Sequence, residues 1–229
     1  MHEDINNCIS CNRKAECFKY LSKEELQFFN ETKTTITYKK GETIIKQGTE
    51  FTHVVSFNEG LAKLNIESEP GKNLLIGIIQ PSEILGGPGM FGNNRYSFSV
   101  TALTESRICL INVATFKKII RTNEKFSESF LSSFSNRYIE AINRLVSITN
   151  KQMHGRVAEA LLFFSDSIYH SNNFELLLSR QELAEYTGMS KESISRIFKD
   201  LNENHIIHSQ GRAIEILNRD KLIQLEKTG

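Results

Sequence analysis

Four cysteines carry the clearest chemistry in this sequence. Cys8, Cys11 and Cys17 are spaced C-x2-C-x5-C near the start of the chain, and Cys109 lies far from them in sequence. Thiolates are the ligands that iron–sulfur clusters and zinc prefer, and three closely spaced thiolates can occupy three corners of one metal site. The spacing alone leaves open an iron–sulfur cluster, a four-thiolate zinc site or a thiol redox switch. Cys109 by itself would be read as a small buried core residue.

A pair of short helices is predicted near the C-terminus. Ser179 and Glu182 have the form of a capping box, and the helix that they begin should end at Gly188. Ser190 then caps a second helix, which a hairpin with a turn at Gly211 follows. Two short helices joined in this way are a candidate helix-turn-helix.

The second of these helices has the two faces of a recognition helix. Its buried face would consist of four apolar residues at helical spacing: Ile194, Ile197, Phe198 and Leu201. The candidates for DNA contact are the polar residues of the opposite face and the first residue of the preceding helix: Arg180, Lys191, Glu192, Ser195, Arg196 and Lys199. Arginine suits guanine, and glutamate suits the cytosine amino group. Because a charged outer face is often only solvated, the capped helix pair and its hairpin are what favour DNA binding.

The charge of this region argues against non-specific binding of polyanions. Residues 151–229 contain 10 basic and 11 acidic residues, a net charge of −1. We therefore expect the affinity for DNA to depend on the local placement of a few cations and on two copies of the domain.

Strands separated by glycines are predicted between the cysteine segment and the helices. Short apolar and β-branched runs occur at 43–45, 53–57, 61–66, 74–79, 98–103 and 107–113. This spacing is typical of an all-β sandwich or barrel, and it places Cys109 in the last strand. The predicted domains are an N-terminal cysteine segment at 1–29, a β-roll sensor domain at 30–120, a dimerisation helix at 121–150 and a winged helix-turn-helix at 151–229.

A long helix is predicted between the strands and the helix-turn-helix. Six residues form its heptad seam: Leu131, Phe134, Tyr138, Ala141, Leu145 and Ile148. A second apolar row, at positions 139, 142 and 146, widens this face. The helix could pack only on its own β domain, or it could also pack against the identical helix of a partner. The width of the apolar stripe favours the partner helix, and therefore a homodimer.

Length and composition exclude several classes of protein. The chain has 229 residues, with 28 Lys and Arg against 27 Asp and Glu, which suits a globular protein of one or two domains. No apolar run approaches the ~20 residues of a membrane span, and the acidic segment Met1–Asp4 lacks the apolar core of a signal peptide. We therefore expect a cytoplasmic protein with no membrane partner. No nucleophile elbow, P-loop or HExxH motif occurs, so an enzyme is not expected.

The order of these parts resembles the CRP/FNR family of bacterial transcription regulators over essentially the whole chain. The resemblance rests on 40–48 and Gly60 in the roll, and on 155–158 and 179–201 in the C-terminal part. It implies an α+β fold with an N-terminal β-roll like that of cyclic-nucleotide-binding domains, a long dimerisation helix and a C-terminal winged helix-turn-helix. It also implies a homodimer that binds a palindromic operator in double-stranded DNA and works with RNA polymerase.

The stretch that would bind a cyclic nucleotide lacks both of its charged anchors. Family members that bind these ligands hold the ribose with a glutamate and the phosphate with an arginine. Gly87 stands here in place of the acid, and Tyr96 stands in place of the arginine. The adjacent Arg95 would point to the other face of an alternating strand. We therefore do not expect cAMP as the effector.

The FNR branch of this family is similar at all four cysteines. That branch holds a [4Fe–4S] cluster that oxygen dismantles. The ligands that the resemblance implies here are the four cysteines: Cys8, Cys11, Cys17 and Cys109. Glu192, Ser195 and Arg196 also resemble the Glu-x-x-Ser-Arg of the branch's recognition helix, which reads TTGAT-type half-sites in an inverted repeat.

Two alternatives stand beside an iron–sulfur regulator. One is a regulator of the same fold that uses zinc, redox thiols or another small ligand in the roll. The other is an iron–sulfur electron carrier, which would not need Glu192, Ser195 and Arg196 on an exposed helix.

Overall fold

A computed structural model describes residues 7–69 and 72–228 of the chain. The acidic segment Met1–Asp4 lies outside the described residues. The chain divides into two compact units, Met1–Glu140 and Ala141–Gly229. Within the described ranges, no helix is long and apolar enough to cross a membrane.

The N-terminal unit begins with a short 3₁₀ helix, Glu16–Tyr20, and the helix α1, Lys23–Thr32. Eight strands follow: β1 Lys33–Tyr38, β2 Thr43–Ile45, β3 His53–Glu59, β4 Ala62–Glu69, β5 Lys72–Ile79, β6 Ile84–Leu85, β7 Ser99–Ala102 and β8 Ser106–Asn112. They form two antiparallel sheets, with the orders β1-β8-β3-β6 and β2-β7-β4-β5. Apolar side chains from both sheets share one hydrophobic core, so the expected β-roll is confirmed.

Two strands of the roll were not among the predicted runs. The threonine-rich β1 alternates between half-buried and exposed residues, and β6 has only two residues. Neither strand has a long apolar run that the sequence would reveal. Each is an edge strand that is held by its pairing, β1 with β8 and β6 with β3. The strands that had been predicted begin and end within a few residues of the expected bounds.

Five phenylalanine rings join the N-terminal segment to the helices that follow the roll. The rings belong to Phe18, Phe29, Phe116, Phe126 and Phe130, and we call them the phenylalanine cluster. Phe18 lies 5.4 Å from Phe29 and 5.9 Å from Phe126 between ring centres. Phe116 lies 5.1 Å from Phe130 in an edge-on arrangement. Aromatic pairs at such distances add to the stability that burial alone provides.

The helices α2, Val113–Thr122, and α3, Glu124–Asn150, follow the roll. The boundary between the two compact units falls inside α3. The side chain of Asn123, between these helices, donates hydrogen bonds to the carbonyl oxygen of Tyr20 at 3.0 Å and to Glu25 at 2.9 Å. The start of α3 is therefore fixed to the segment that carries the first three cysteines.

The C-terminal unit contains the expected winged helix-turn-helix. Its helices are α4 Met153–Phe163, α5 Arg180–Thr187, α6 Lys191–Glu203 and α7 Arg219–Thr228, and a π-helical turn extends α4 to Tyr169. Its strands are β9 Asn173–Glu175, β10 Ile207–Gln210 and β11 Ala213–Ile216, in the order β10-β11-β9. The predicted capping box of Ser179 and Glu182 is present, and Gly188 ends α5 in the left-handed conformation with φ of 64°.

Removing a ring from the phenylalanine cluster tests how much the cluster contributes to the stability of the fold. Phe29→Ala should lower the free energy of unfolding by about 3–5 kcal/mol, because Phe29 is fully buried and its loss leaves a cavity. The neighbouring Phe28→Ala is the matched control, since Phe28 is only partly buried, and it should cost clearly less. Urea denaturation followed by circular dichroism measures both. An equal loss of unfolding free energy in the two variants would show that the cluster does not contribute more to stability than its surroundings.

Candidate cysteine centre and nucleic-acid interface

Three of the four cysteines lie around one small cavity of the N-terminal unit. Cys8 and Cys11, from the N-terminal loop, line it together with Cys109 of β8. Cys17 belongs to the 3₁₀ helix and is buried away from this cavity. Among residues 7–69 and 72–228, no three His, Cys, Asp or Glu side chains are arranged to hold a metal ion. The four-cysteine ligand set therefore stays a prediction.

A hydrogen bond fixes the cysteine loop to α1, and ion pairs fix it to the roll. The backbone N–H of Cys8 donates to the side-chain oxygen of Asn30 at 3.1 Å. Arg13, between Cys11 and Cys17, pairs with Glu59 at 3.3 Å, and Glu59 also pairs with Arg107 at 2.5 Å. Because Arg107 lies two residues before Cys109 on β8, the loop is held near the strand that carries the distant cysteine.

Donor groups surround the sulfur atoms in this cavity. The Lys33 ammonium lies 4.0 Å from the Cys109 sulfur. The Asn58 amide nitrogen lies 3.6 Å from the Cys11 sulfur, and the amide oxygen of Asn58 is buried without a hydrogen-bond partner among the described residues. Lys14 also lines the cavity. Cations and N–H donors stabilise thiolate-bound centres, so the donor set fits an iron–sulfur cluster chemically, although Cys17 does not line this cavity.

Burial keeps two of these thiols protonated. It raises the pKa of Cys8 to about 11, although the nearby Lys33 opposes the shift, and it raises the pKa of Cys17 to about 12. At neutral pH both sulfurs are therefore neutral thiols and weak nucleophiles. A metal centre would have to displace these protons, because thiolates are the ligands.

The raised thiol pKa values predict a distinct pH dependence in metal-free protein. The ordinary thiol pKa is 9.0, so folding favours the protonated form, and the resulting stabilisation is full below pH 9 and lost as the pH rises through about 11 or 12. The thiolate fraction of Cys8 near pH 8 should be roughly 100-fold lower in the folded chain than in urea. Alkylation of Cys8 and Cys17 by iodoacetamide, followed by mass spectrometry, should continue to accelerate above about pH 10 in folded protein, while in urea it levels off there. A plateau at that pH in both states would contradict this.

Tyr96, at the place expected for a phosphate-binding arginine, is packed among aromatic side chains. Tyr96 is buried, its ring lies 4.5 Å from that of Phe51, and its hydroxyl donates to the carbonyl oxygen of His53 at 2.5 Å. Arg95 is exposed and donates to the carbonyl oxygen of Gly48 at 2.7 Å. Arg95 is therefore exposed where Tyr96 is buried, but the two residues precede β7 and do not form the alternating strand that was predicted.

The seam predicted for dimerisation lies mostly on the surface of the single chain. Leu131, Phe134, Tyr138 and Leu145 are between 40% and 63% exposed. The second row, at positions 139, 142 and 146, is equally exposed. Large contiguous apolar surfaces of this kind mark interaction sites. Ala141 and Ile148 are half-buried.

Ile148 has a contact within its own chain that the heptad pattern does not reveal. Its methyl group lies 2.9 Å from the position that a Cβ would take on Gly188, in the turn of the helix-turn-helix. The end of the seam therefore also packs on the DNA-binding part of the C-terminal unit. The assignment of all six seam residues to a dimer interface stays a prediction.

A charge placed in the exposed stripe should prevent dimerisation. Leu145→Asp should dissociate the dimer, because each buried side chain of this size contributes roughly 1.5–3 kcal/mol and two copies are lost. Asn143→Asp is the matched control, since it places the same charge at an exposed polar position of the same helix. Sedimentation velocity should give a monomer for the first variant and a dimer for the control. If the Leu145→Asp protein still sediments as a dimer, the exposed stripe of α3 is not the dimer interface.

The recognition helix α6 presents its two predicted faces. The apolar face is buried, and the five polar candidates Lys191, Glu192, Ser195, Arg196 and Lys199 are all exposed. The Arg196 guanidinium donates a hydrogen bond to the Ser193 hydroxyl at 3.3 Å and interacts electrostatically with Glu192. Hydrogen bonds from its own backbone N–H and from Ser190 hold the pKa of Glu192 below its usual range. Glu192 is therefore ionised and suited to accept a hydrogen bond from a base amino group.

Two arginines outside the predicted site hold the turn between α5 and α6. Arg156 donates to the carbonyl oxygens of Thr187 and Gly188, both at 3.0 Å. Arg144 donates to the carbonyl oxygen of Tyr186, and its guanidinium carbon lies 3.5 Å from the centre of the Tyr186 ring. Cations at a helix C-terminus stabilise the last carbonyl groups. A single arginine on a long helix gives no sequence signal for this role.

Two family descriptions match the chain. The cyclic nucleotide-binding domain matches residues 35–123, and the Crp-like helix-turn-helix domain matches residues 155–225. The first range contains most of the roll. The second contains α5, α6 and the hairpin of β10 and β11, which we call the wing.

Relatives and solved structures agree with these descriptions. The transcriptional activator protein Anr of Pseudomonas protegens is 25% identical over 225 residues, which cover 96% of this chain and 92% of that protein. The cAMP-activated global transcriptional regulator CRP of Salmonella typhimurium is 24% identical over 184 residues, which cover 78% of this chain and 87% of that protein. FixK2 from Bradyrhizobium japonicum has a similar structure, with a TM-score of 0.77 at 19% identity over 86% of this chain and 98% of that one.

Proposed function

Because the chain belongs to the CRP/FNR family of DNA-binding transcription regulators, we propose that it is a homodimer whose DNA binding depends on an oxygen-labile [4Fe–4S] cluster. Its other partners in this function are an inverted-repeat operator and RNA polymerase. Cys8, Cys11, Cys17 and Cys109 hold the cluster.

The observation that carries this proposal is the meeting of Cys8, Cys11 and Cys109 around one cavity. These residues come from a loop and from a strand about a hundred positions away, so their proximity is a product of the fold and not of sequence spacing. Lys33 and Asn58 face two of the sulfurs and stabilise negative charge there. The fourth ligand, Cys17, comes from the 3₁₀ helix that follows the loop.

The residues of this chain provide a path from the sensor to the dimer helix. A bound cluster supplies a group whose integrity depends on oxygen. Phe18 follows Cys17 directly and packs on Phe126 of α3, while Asn123 bonds the start of α3 to Tyr20 and Glu25. A change in the cysteine segment therefore alters contacts at the N-terminal end of α3. Coupling requires that the cluster bind the dimer more tightly than the monomer.

Two rival effectors find less support among the same residues. Burial raises the pKa of Cys8 and Cys17, which disfavours a redox switch that uses either of these two thiols as the attacking thiolate. A cyclic nucleotide needs a cation for its phosphate, but the buried residue at that place is Tyr96, and Arg95 lies outside. One of the relatives is a cAMP-activated regulator. This chain resembles it in the roll but has Gly87 and Tyr96 in place of the glutamate and the arginine that would hold the nucleotide.

Replacing single cysteines tests the proposed ligand set. Cys8→Ser, Cys11→Ser, Cys17→Ser and Cys109→Ser should each abolish the ~400 nm absorbance of anaerobically prepared protein, because a four-thiolate cluster needs every ligand. Ser10→Ala is the control, since it alters the same loop without removing a thiol. Iron, sulfide and zinc assays accompany the spectra. Zinc in place of iron after strictly anaerobic preparation would exclude the proposal.

The operator follows from the exposed residues of α6. Arg196 can donate two hydrogen bonds to guanine O6 and N7, and Glu192 can accept one from a cytosine amino group. Together with Ser195 they support a TTGAT-like half-site that contains a G·C pair. A two-fold dimer would place the second half-site roughly 10–10.5 bp from the first, centre to centre.

Substitutions on α6 should separate base contacts from phosphate contacts. Arg196→Ala should cost about 1–3 kcal/mol on the TTGAT-like site and relax the preference at its G·C position. Lys199→Ala, one turn further along the exposed face, should weaken binding to all sequences alike and flatten the salt dependence. Fluorescence anisotropy with a set of half-site variants, under anaerobic conditions, measures both effects. If Arg196→Ala loses the same affinity on every sequence, Arg196 contacts only the DNA backbone.

A further inference from the structure

Arg180, the first residue of α5, connects two parts of the DNA-binding surface. Its guanidinium carbon lies 3.7 Å from the centre of the Phe198 ring on α6. Its Nη2 donates a hydrogen bond to the carbonyl oxygen of Gly211 at 3.1 Å, in the turn between β10 and β11. Arg180 is half-buried, and burial lowers its pKa. One side chain therefore contacts both the recognition helix and the tip of the wing.

The wing is attached to α6 at two places. At its base, the Asn202 side chain donates to the Ser209 hydroxyl at 2.7 Å and accepts from the Ser209 backbone N–H at 2.8 Å. At its tip, Gly211 has a positive φ of 61°, and its neighbour Arg212 is bonded through its carbonyl oxygen to the Leu176 N–H on the side of β9. The hydrogen bond from Arg180 to the Gly211 carbonyl oxygen connects this tip to α5.

The chemistry of this connection requires an arginine. A planar guanidinium can stack on an aromatic ring and still donate from its edge, whereas a lysine ammonium is a compact, strongly hydrated charge that cannot do both. The exposed cations of the same surface are Lys191 and Arg212, which line one cavity with Arg180. Arg180 is thus the half-buried member of this basic group and stacks on the Phe198 ring, whereas Lys191 and Arg212 are exposed to solvent.

We propose that Arg180 is a positioning residue that sets the distance between the wing tip and α6, so that Arg212 and Lys191 meet neighbouring DNA phosphates. This replaces its assignment from the sequence as a direct DNA contact. The inference rests on the DNA-binding function, but not on the cluster or on the operator sequence. Fixing the wing before binding reduces the ordering cost that the complex would otherwise carry.

Hydrogen–deuterium exchange of the free protein tests the proposal without DNA. Arg180→Met should accelerate exchange of the backbone amides in the turn around Gly211, while amides of α4 and the core of α6 exchange as in the wild type. Arg180→Lys should behave like Arg180→Met, because the positive charge alone cannot replace the stack and the hydrogen bond. Arg212→Met is the matched control and should leave this exchange unchanged.

The salt dependence of binding to a mixed-sequence duplex supplies the second readout. Arg180→Met should lower the affinity roughly 10-fold with an unchanged slope of log K against log salt, since no phosphate contact is lost. Arg212→Met should reduce the slope by about 0.9 for each phosphate contact that it removes. Three results would overturn the proposal: unchanged exchange at the turn in Arg180→Met, faster exchange throughout the domain, or a reduced slope that Arg180→Lys restores.

Discussion

The phenylalanine cluster is the interaction on which the N-terminal unit depends. Phe18 brings the segment with the first three cysteines into contact with Phe29 of α1 and Phe126 of α3, and Phe116 of α2 packs on Phe130. Tightly packed rings do not deform gradually, because protein interiors are close-packed and resist small changes in volume. A rearrangement of the cysteine segment must therefore either leave the cluster intact or shift α3. The cysteine segment is therefore packed together with α1 and α3 and is not a loose loop beside the roll.

The second constraint is the position of α3 in the chain. Its first turns are buried in the phenylalanine cluster, its middle presents an exposed apolar stripe, and its last turns contact the helix-turn-helix through Ile148 and Arg144. One continuous helix thus carries contacts to the phenylalanine cluster, an exposed apolar stripe and contacts to the helix-turn-helix in that order. If a partner's helix covers this stripe, as we propose, dimerisation is the point at which sensing and DNA binding are coupled.

Local rules predicted much of this fold, and tertiary contacts decided the rest. The capping box at Ser179 and the buried face of α6 follow from spacing alone, so they were predictable to the residue. Strand β1 and the roles of Asn58, Arg144 and Arg180 depend on side chains from distant parts of the chain. No periodicity marks a single polar residue whose partner is many positions away. The cysteine spacing predicted a common site, but it could not predict that the cavity would be lined by Cys8, Cys11 and Cys109 without Cys17.

We propose that the cluster and the dimer stabilise each other, and the dimer dissociation constant measures this coupling most directly. Sedimentation velocity over a range of concentrations should be carried out on anaerobic protein with a full cluster, and on the same preparation after oxygen has removed it. Absorbance and iron content establish the loading of each sample. We expect the loaded protein to remain dimeric at concentrations where the cluster-free protein is largely monomeric, by a factor of about 5–150 in the dissociation constant. An identical dissociation constant in the two samples would contradict the coupling.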